Sequence, residues 1–417
     1  MAVAGKTRLV AAALVLAWGL TAQAGQTAPG ASLAELLELG RTANPEFAAM
    51  RQEVSAASER TEMAGALMDP KLRLERMTAI ELMPEARLAR MNRVQLMQDL
   101  PWFGKRELKS DIARFGTDTA AAQANAAWNE LAARIKTTYA ELEFVGRNER
   151  VVRQVLDLMV GLERIALARY TGGLAPQQDV IRAQVEQTAM KGELLMIERE
   201  RRTLQARMNM LLGREANAPL ADPEQARPLP AVARLDVAAL AERARSNNPQ
   251  IFAEDARVRT ARSSRDLALR NRYPDFSVGV RSSELAIGKW EWMVEINLPL
   301  QQSSRRAGER ETEAMLAAAL ARREASANQI LANLAESLAG FEFAQRSEAL
   351  TVNSLLPQTE MSLDSALAGY ENGRVDFATL LEAQRQVRQA RQRQLRSRAD
   401  AQLRFAEIER LVGEELQ

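Results

Sequence analysis

The side chains available for chemistry in this chain are carboxylates, lysines, arginines, hydroxyls and methionines, because cysteine and histidine are both absent. Thiol nucleophiles, imidazole bases, disulfides and Cys/His metal centres are therefore excluded, and most enzyme mechanisms go with them. Methionine is a soft ligand in principle. Met77, Met83, Met91 and Met97 have no Cys or His beside them, however, and read as strand and loop filler. Arg385, Arg388, Arg391, Arg393, Arg396 and Arg398 form a basic run without interleaved aromatics, so it reads as a solvated helix face and not as a nucleic-acid contact. No cofactor or metal set emerges, and the expectation is a protein that is not an enzyme. What does stand out is a pair of turns, Tyr170-Thr-Gly-Gly173 and Tyr370-Glu-Asn-Gly373, whose glycines suit a reversal with positive φ.

The elements that carry these turns are unusually long. No proline lies between Pro101 and Pro176, and the segment from Gly104 to Tyr170 is rich in helix formers. As one helix it would be about 100 Å long at 1.5 Å per residue. Leu131, Ile135, Tyr139, Leu142, Val152, Val155, Met159, Leu162 and Ile165 place one apolar stripe along it. A second long run starts near Arg305 and ends at Tyr370. Shorter helices are expected from Leu33 to about Ala66, with Ser32 as N-cap and an interruption at Asn44-Pro45, and from about Pro176, in the first turn, to Leu212. The latter carries a coiled-coil seam at Leu194, Ile197, Arg201, Leu204, Met208 and Leu211. With 26% charged and 5% aromatic residues, the composition suits long rods with thin seams better than a thick globular core.

The chain is duplicated at an offset near 200. Asn248-Pro249 echoes Asn44-Pro45, Leu298-Pro299 echoes Leu100-Pro101, Tyr370 echoes Tyr170, and Asp376 echoes Asp179. The organisation is then a secretory signal over 1–24, a first repeat over 25–213, a proline-rich linker over 214–235 and a second repeat over 236–417. The signal rests on Lys6 and Arg8, the apolar Leu9 to Leu20 and Ala22-Gln23-Ala24. Its removal takes two basic residues from a chain of net charge +2 and leaves the remainder near neutral. The apolar run is shorter than the roughly 20 residues needed to span a bilayer as a helix.

Each repeat also holds an extended pair, over 71–100 and 274–299. Trp290, Trp292, Val294, Ile296 and Leu298 alternate with Glu291, Glu295 and Asn297; Phe276, Val278 and Val280 alternate with Ser277, Gly279 and Arg281. The first pair is less regular, with Arg76 and Gln98 on the apolar phase. A soluble hairpin packed on one face has this period too; the paired tryptophans favour a membrane interface. Spanning strands would need at least eight to close a barrel, so two or three copies would have to combine.

On these grounds the chain from Ser32 to Gly413 resembles the TolC-type outer-membrane efflux proteins. The residues that carry the resemblance are the Asn-Pro helix starts, the doubled strand–long helix–Tyr-x-x-Gly plan and Leu380-Leu381-Glu382-Ala383-Gln384. Residues 98–106 (Gln98-Asp99-Leu100-Pro101-Trp102-Phe103-Gly104-Lys105-Arg106) are similar to the strand exit of the CzcC-like heavy-metal branch. The resemblance implies a mainly α fold with a membrane β-barrel: a homotrimer with twelve strands in the outer membrane and an α-helical periplasmic tunnel. It implies docking to a periplasmic adaptor and an inner-membrane resistance-nodulation-division pump, with no nucleic acid partner. It puts Tyr170, Gly173, Tyr370 and Gly373 at the periplasmic tip, Glu382 and Asp376 at the entrance, and Trp290 and Trp292 at the lipid interface. The cargo expected first is heavy-metal cations; drugs or organic compounds, or a secreted soluble coiled-coil scaffold, are the alternatives. Glu382 has a plainer reading as a solvated carboxylate paired with Arg385 or Gln386. Pro357 is expected to kink the second rod.

Overall fold

A computed structural model describes residues 29–79, 89–283 and 290–416, with the side chains of 77–79, 89–92 and 283 left aside. The expected signal segment and Met83 lie outside the described residues. The first repeat runs α1 (Leu33–Ala43), α2 (Pro45–Gly65), β1 (Lys71–Ala79), β2 (Ala89–Leu100), α3 (Lys105–Thr171) and α4 (Gln177–Leu211). The second runs α5 (Val237–Asn247), α6 (Pro249–Arg270), β3 (Asp275–Ser283), β4 (Trp290–Asn297), α7 (Gln302–Leu350), α8 (Leu356–Glu371) and α9 (Phe377–Val412). The helix of 67 residues, α3, is about 100 Å long. It pairs through its first half with α2 and α6 and through its second half with α4 and α9, so two shorter rods end to end match one long one. The expected stripe is buried except for Ile165, which is partly so, and Ile197, Leu204, Met208 and Leu211 of the α4 seam are buried against it. Arg201, the charged interruption in that seam, pairs with Glu149 of α3 and Asp222.

Two Asn-Pro steps end α1 and α5 for a shared reason. Proline at the start of the next helix has no N–H to lose there. Asn44 and Asn248 each accept backbone N–H groups with their side-chain oxygen, capping α2 and α6. Each then donates its amide to a helix terminus about 165 residues away: Asn44 to the Leu211 carbonyl at 2.8 Å, Asn248 to the Leu411 carbonyl at 2.7 Å. Gly213 and Gly413, both with positive φ, let the chain pass so close that a Cβ would meet the Ala43 or Asn247 carbonyl oxygen at 2.5 Å. This belt also includes the segment expected as a linker. Arg227 and Lys136 of α3 both bind Glu409 of α9, which is 4% exposed, and Tyr139 donates to the Gln225 carbonyl. Residues 214–235 thus strap the two repeats together.

The second rod differs from the first. From Pro299 to Tyr370 there are two more residues than from Pro101 to Tyr170. A π turn at Thr351–Leu355, two residues before Pro357, takes up extra length without ending the rod. The helical backbone starts at Gln302, three residues before the expected Arg305. Pro176 is the N-cap of α4 and not its first-turn residue.

The four strands form one antiparallel sheet in the order β1-β2-β3-β4, so the β2–β3 pairing joins the repeats and β1 and β4 are its edges. Register puts Leu72, Leu96, Val280 and Trp292 in one row, with Leu74, Val94, Ser282 and Trp290 in the next row of the same face. The opposite face carries Arg73, Gln95, Arg281 and Glu291 in a row, and Asp99, Ser277 and Glu295 in another. Arg76 and Gln98 do fall on this mainly apolar face, as Ser282 does, and Gln98 turns its amide to the Met68 carbonyl at 2.6 Å.

Candidate functional site

Both hairpin ends close in the same way. After α3, the Gly173 N–H reaches the Tyr170 carbonyl at 3.0 Å and the Leu174 N–H reaches Arg169 at 2.8 Å; after α8, Gly373 and Arg374 repeat this with Tyr370 and Gly369. Gly173 (φ 70°) and Gly373 (φ 73°) occupy the left-handed conformation expected of them.

The two tyrosines part company here. Tyr370 is 2% exposed: its hydroxyl donates to Asp179 of α4 at 3.1 Å, and its ring lies 5.2 Å from that of Phe377. The Arg169 guanidinium sits 5.0 Å from the Tyr370 ring centre and donates to the Glu371 carbonyl at 2.7 Å. Burial, followed by the nearby Asp179 charge, pushes the Tyr370 hydroxyl up to about 12. Tyr170 is exposed, and no such pocket receives it among the described residues. The end of the second hairpin is thus fastened to the start of α4 by a buried hydroxyl–carboxylate bond beneath a cation.

Asp376 is the N-cap of α9 and accepts the Thr379 N–H at 2.9 Å; the Thr379 hydroxyl and this N–H hold its carboxyl below the usual range. Its counterpart by position is Pro176, the cap of α4, while Asp179 corresponds to Thr379. The sequence echo between Asp376 and Asp179 does not survive the structure. Glu382 is exposed on α9 and accepts from Gln386 at 3.2 Å, one of the two partners expected; Arg385 instead reaches across to Glu186 of α4. Arg388 and Gln392 likewise both bind Glu193, and Arg391 binds Glu360 of α8 at 2.9 Å. Much of the basic run therefore laces the second hairpin to its neighbours.

The sheet lies at the opposite end of the rods. On its apolar face Trp290 (64% exposed) and Trp292 (81%) continue into Val294 and Ile296, all open to the outside. On the other face Lys71 pairs with Asp99 at 2.6 Å, Ser277 donates to Asp99 at 2.7 Å, and Arg281 binds Glu291. Residues 98–106 fix the junction between this sheet and the rods. Trp102 stacks on Tyr273 at 5.3 Å, its N–H reaches Asp275 at 2.8 Å, the buried Lys105 bonds Asp275 and the Tyr273 carbonyl, and Arg106 grips the Gly65 carbonyl.

Arg169, Asp179 and Phe377 at the tip, and Lys105 and Asp275 at the junction, were missed as a set. Arg169 had one visible signal: Gly369 stands in its place before the other tyrosine. Among the described residues no group of three or more carboxylates is arranged to hold a metal ion. Nor is any described helix long and apolar enough to cross a membrane, which leaves the sheet as the apolar face in question.

Residues 240–414 match the family model described as outer membrane efflux protein. No curated protein sequence matches the chain. Solved structures do. A membrane protein from Pseudomonas aeruginosa is similar with a TM-score of 0.80 at 20% identity, covering 93% of this chain and 91% of that one. The outer-membrane channel OprN gives 0.79 at 19%, covering 92% and 90%. The outer membrane protein VceC from Vibrio cholerae gives 0.78 at 18%, covering 92% and 96%. The chain therefore has, over nearly its whole length, the fold of these outer-membrane channels, and its second repeat matches the outer membrane efflux protein family.

Proposed function

We propose that this chain is one third of a passive exit duct in the outer membrane, a conduit and not an enzyme. One observation carries the reading: the four-stranded sheet is mainly apolar on one face and mainly polar or charged on the other, and its edge strands β1 and β4 are unpaired with each other. An open edge in lipid leaves backbone groups unsatisfied at roughly several kcal/mol each. Three copies supply twelve strands, pairing β4 of each with β1 of the next, with tryptophans outward and the ionic rows lining the bore. The rods below extend as a tunnel of about 100 Å into the periplasm. Their hairpin ends, with Tyr170, Gly173, Tyr370 and Gly373, are then the surface offered to a periplasmic adaptor and an inner-membrane pump of the resistance-nodulation-division type. Glu382 and Asp376 are close to those turns in sequence and contribute carboxylates near the entrance. In a soluble scaffold the uncovered row from Trp290 to Leu300 would be an aggregation hazard.

The similarity of residues 98–106 to the heavy-metal branch favours metal cations over organic compounds as cargo. Those side chains fix the junction, so the preference rests on resemblance alone. Single-channel conductance of the detergent-purified oligomer tests the duct. A stable trimer with discrete conductance supports it; a protein released from membranes by carbonate and silent in bilayers overturns it. Loss of metal resistance in a deletion host, with drug resistance intact, tests the cargo.

A further inference from the structure

The duplicated sequence supplies the tyrosine of the tip contact twice, at Tyr170 and Tyr370, yet within the chain only Tyr370 makes such a contact. Tyr370, at the end of α8, lies on the first turn of α4 at Asp179. Aligned at Gly173 and Gly373, Tyr170 corresponds to Tyr370, and Thr379 in the first turn of α9 corresponds to Asp179. The counterpart contact is therefore Tyr170 on the start of α9. Within the chain both of its halves are open: Tyr170 is 42% exposed beside Leu167 (48%) and Leu174 (70%), and Asp376, Ala378 and Thr379 are exposed as well.

We propose that a second copy of this chain closes this contact, with Tyr170 of one copy packing on the first turn of α9 in the next and donating its hydroxyl to the Asp376–Thr379 cap. The Asp376 carboxylate has about four lone-pair sites, so it can accept a phenol while still capping its helix. Leu167 and Leu174 would be covered in the same step, as Phe377 is beside Tyr370. Within-chain and between-copy contacts then alternate around the tip and close a ring with no half-contact left over. The two are unequal. Gly369 stands where Arg169 stands, so no guanidinium covers the Tyr170 ring, and the seam between copies is the weaker one.

This inference rests on the trimeric duct, and the test separates the two. The chain has no cysteine, so introduced pairs report without background. Full-length protein carrying Tyr170→Cys with Thr379→Cys, in outer-membrane vesicles, is oxidised with copper phenanthroline in air and run on a non-reducing gel. Native mass is measured in parallel. The expected result is that most of the chain moves to reducible dimer and trimer bands, while neither single variant forms a ladder. Asp179→Cys with Tyr370→Cys should link within the monomer band, which calibrates the geometry. A trimeric native mass and a linked internal pair, with Tyr170→Cys/Thr379→Cys still monomeric, overturn the between-copy contact and leave the duct standing. A ladder from Tyr170→Cys alone also overturns it, since it would bring the tyrosines to one another. A monomeric native mass removes both.

Discussion

Tyr370 links the tip to pH through a group rarely used for that purpose. Its hydroxyl is raised from about 10, the usual value for tyrosine, to about 12 in the folded chain. A raised value means that the neutral phenol is the form the fold favours. Its contribution is fully present below pH about 10 and is lost as pH rises toward 12. Ultraviolet titration of the four tyrosines should therefore show a late component that shrinks in Tyr370→Phe, the remainder belonging to Tyr139, which burial also raises. That variant should weaken the tip by about 1 to 2 kcal/mol through the lost buried hydrogen bond, seen as a higher open probability in bilayers. Glu382 makes a different prediction, because it is exposed and its hydrogen bond is to the neutral Gln386, with the Arg385 charge nearby. Glu382→Gln should lower cation over anion selectivity measured as a reversal potential, with little change in thermal stability. An unchanged reversal potential would take Glu382 out of the ion path.

At the scale of elements, the duplicated Asn-Pro steps matter for the far helix ends they hold as much as for the helices they start. Asn44→Ala and Asn248→Ala each remove a cap and leave a buried carbonyl, at Leu211 or Leu411, without its donor. Each should cost about 1 to 3 kcal/mol, read as a lower unfolding midpoint, while Asn→Asp should keep the cap but set a buried carboxylate oxygen against that carbonyl, and so be no milder than Ala. The rods and strands were legible in sequence because each rests on local signals: periodicity and the positions of proline and glycine. Even the strand phase was readable, including its faults at Arg76 and Gln98. The tip was not. Tyr370 and Asp179 are 191 residues apart, in opposite repeats, and only packing of one hairpin on the other brings them together. The π turn before Pro357 was hidden for a related reason, since a length mismatch between two rods shows only when they are laid side by side.

The whole molecule is held at two levels, and they respond to different perturbations. The belt joins α3, the strap and α9 through Glu409. Burial pushes this carboxyl up, but the Arg227 bond and the charge of Lys136 more than offset it, and the net shift is downward. A lowered value gives stability that is present above about pH 4.3, the ordinary glutamate value, and lost as pH falls through the folded one. Glu409→Gln should flatten that acid dependence and destabilise by about 3 kcal/mol, because two cations then lose their shared buried partner. At the other level, the proposed duct requires the mainly apolar face of the sheet to meet lipid and its mainly charged face to meet water. The two faces should therefore answer oppositely to the same change. Val294→Lys puts an ammonium between Trp292 and Ile296 on the apolar face, at about 2 to 4 kcal/mol per chain if the site lies near the bilayer midplane. A closed trimer would carry that cost in every copy. Gln95→Lys, on the charged face beside Arg73 and Arg281, should leave trimer yield nearly unchanged and shift only conductance. If both variants assemble equally well in outer-membrane vesicles, the tryptophan face does not contact lipid and the sheet is not part of a barrel. If only Val294→Lys fails, the sidedness of the sheet follows from assembly itself.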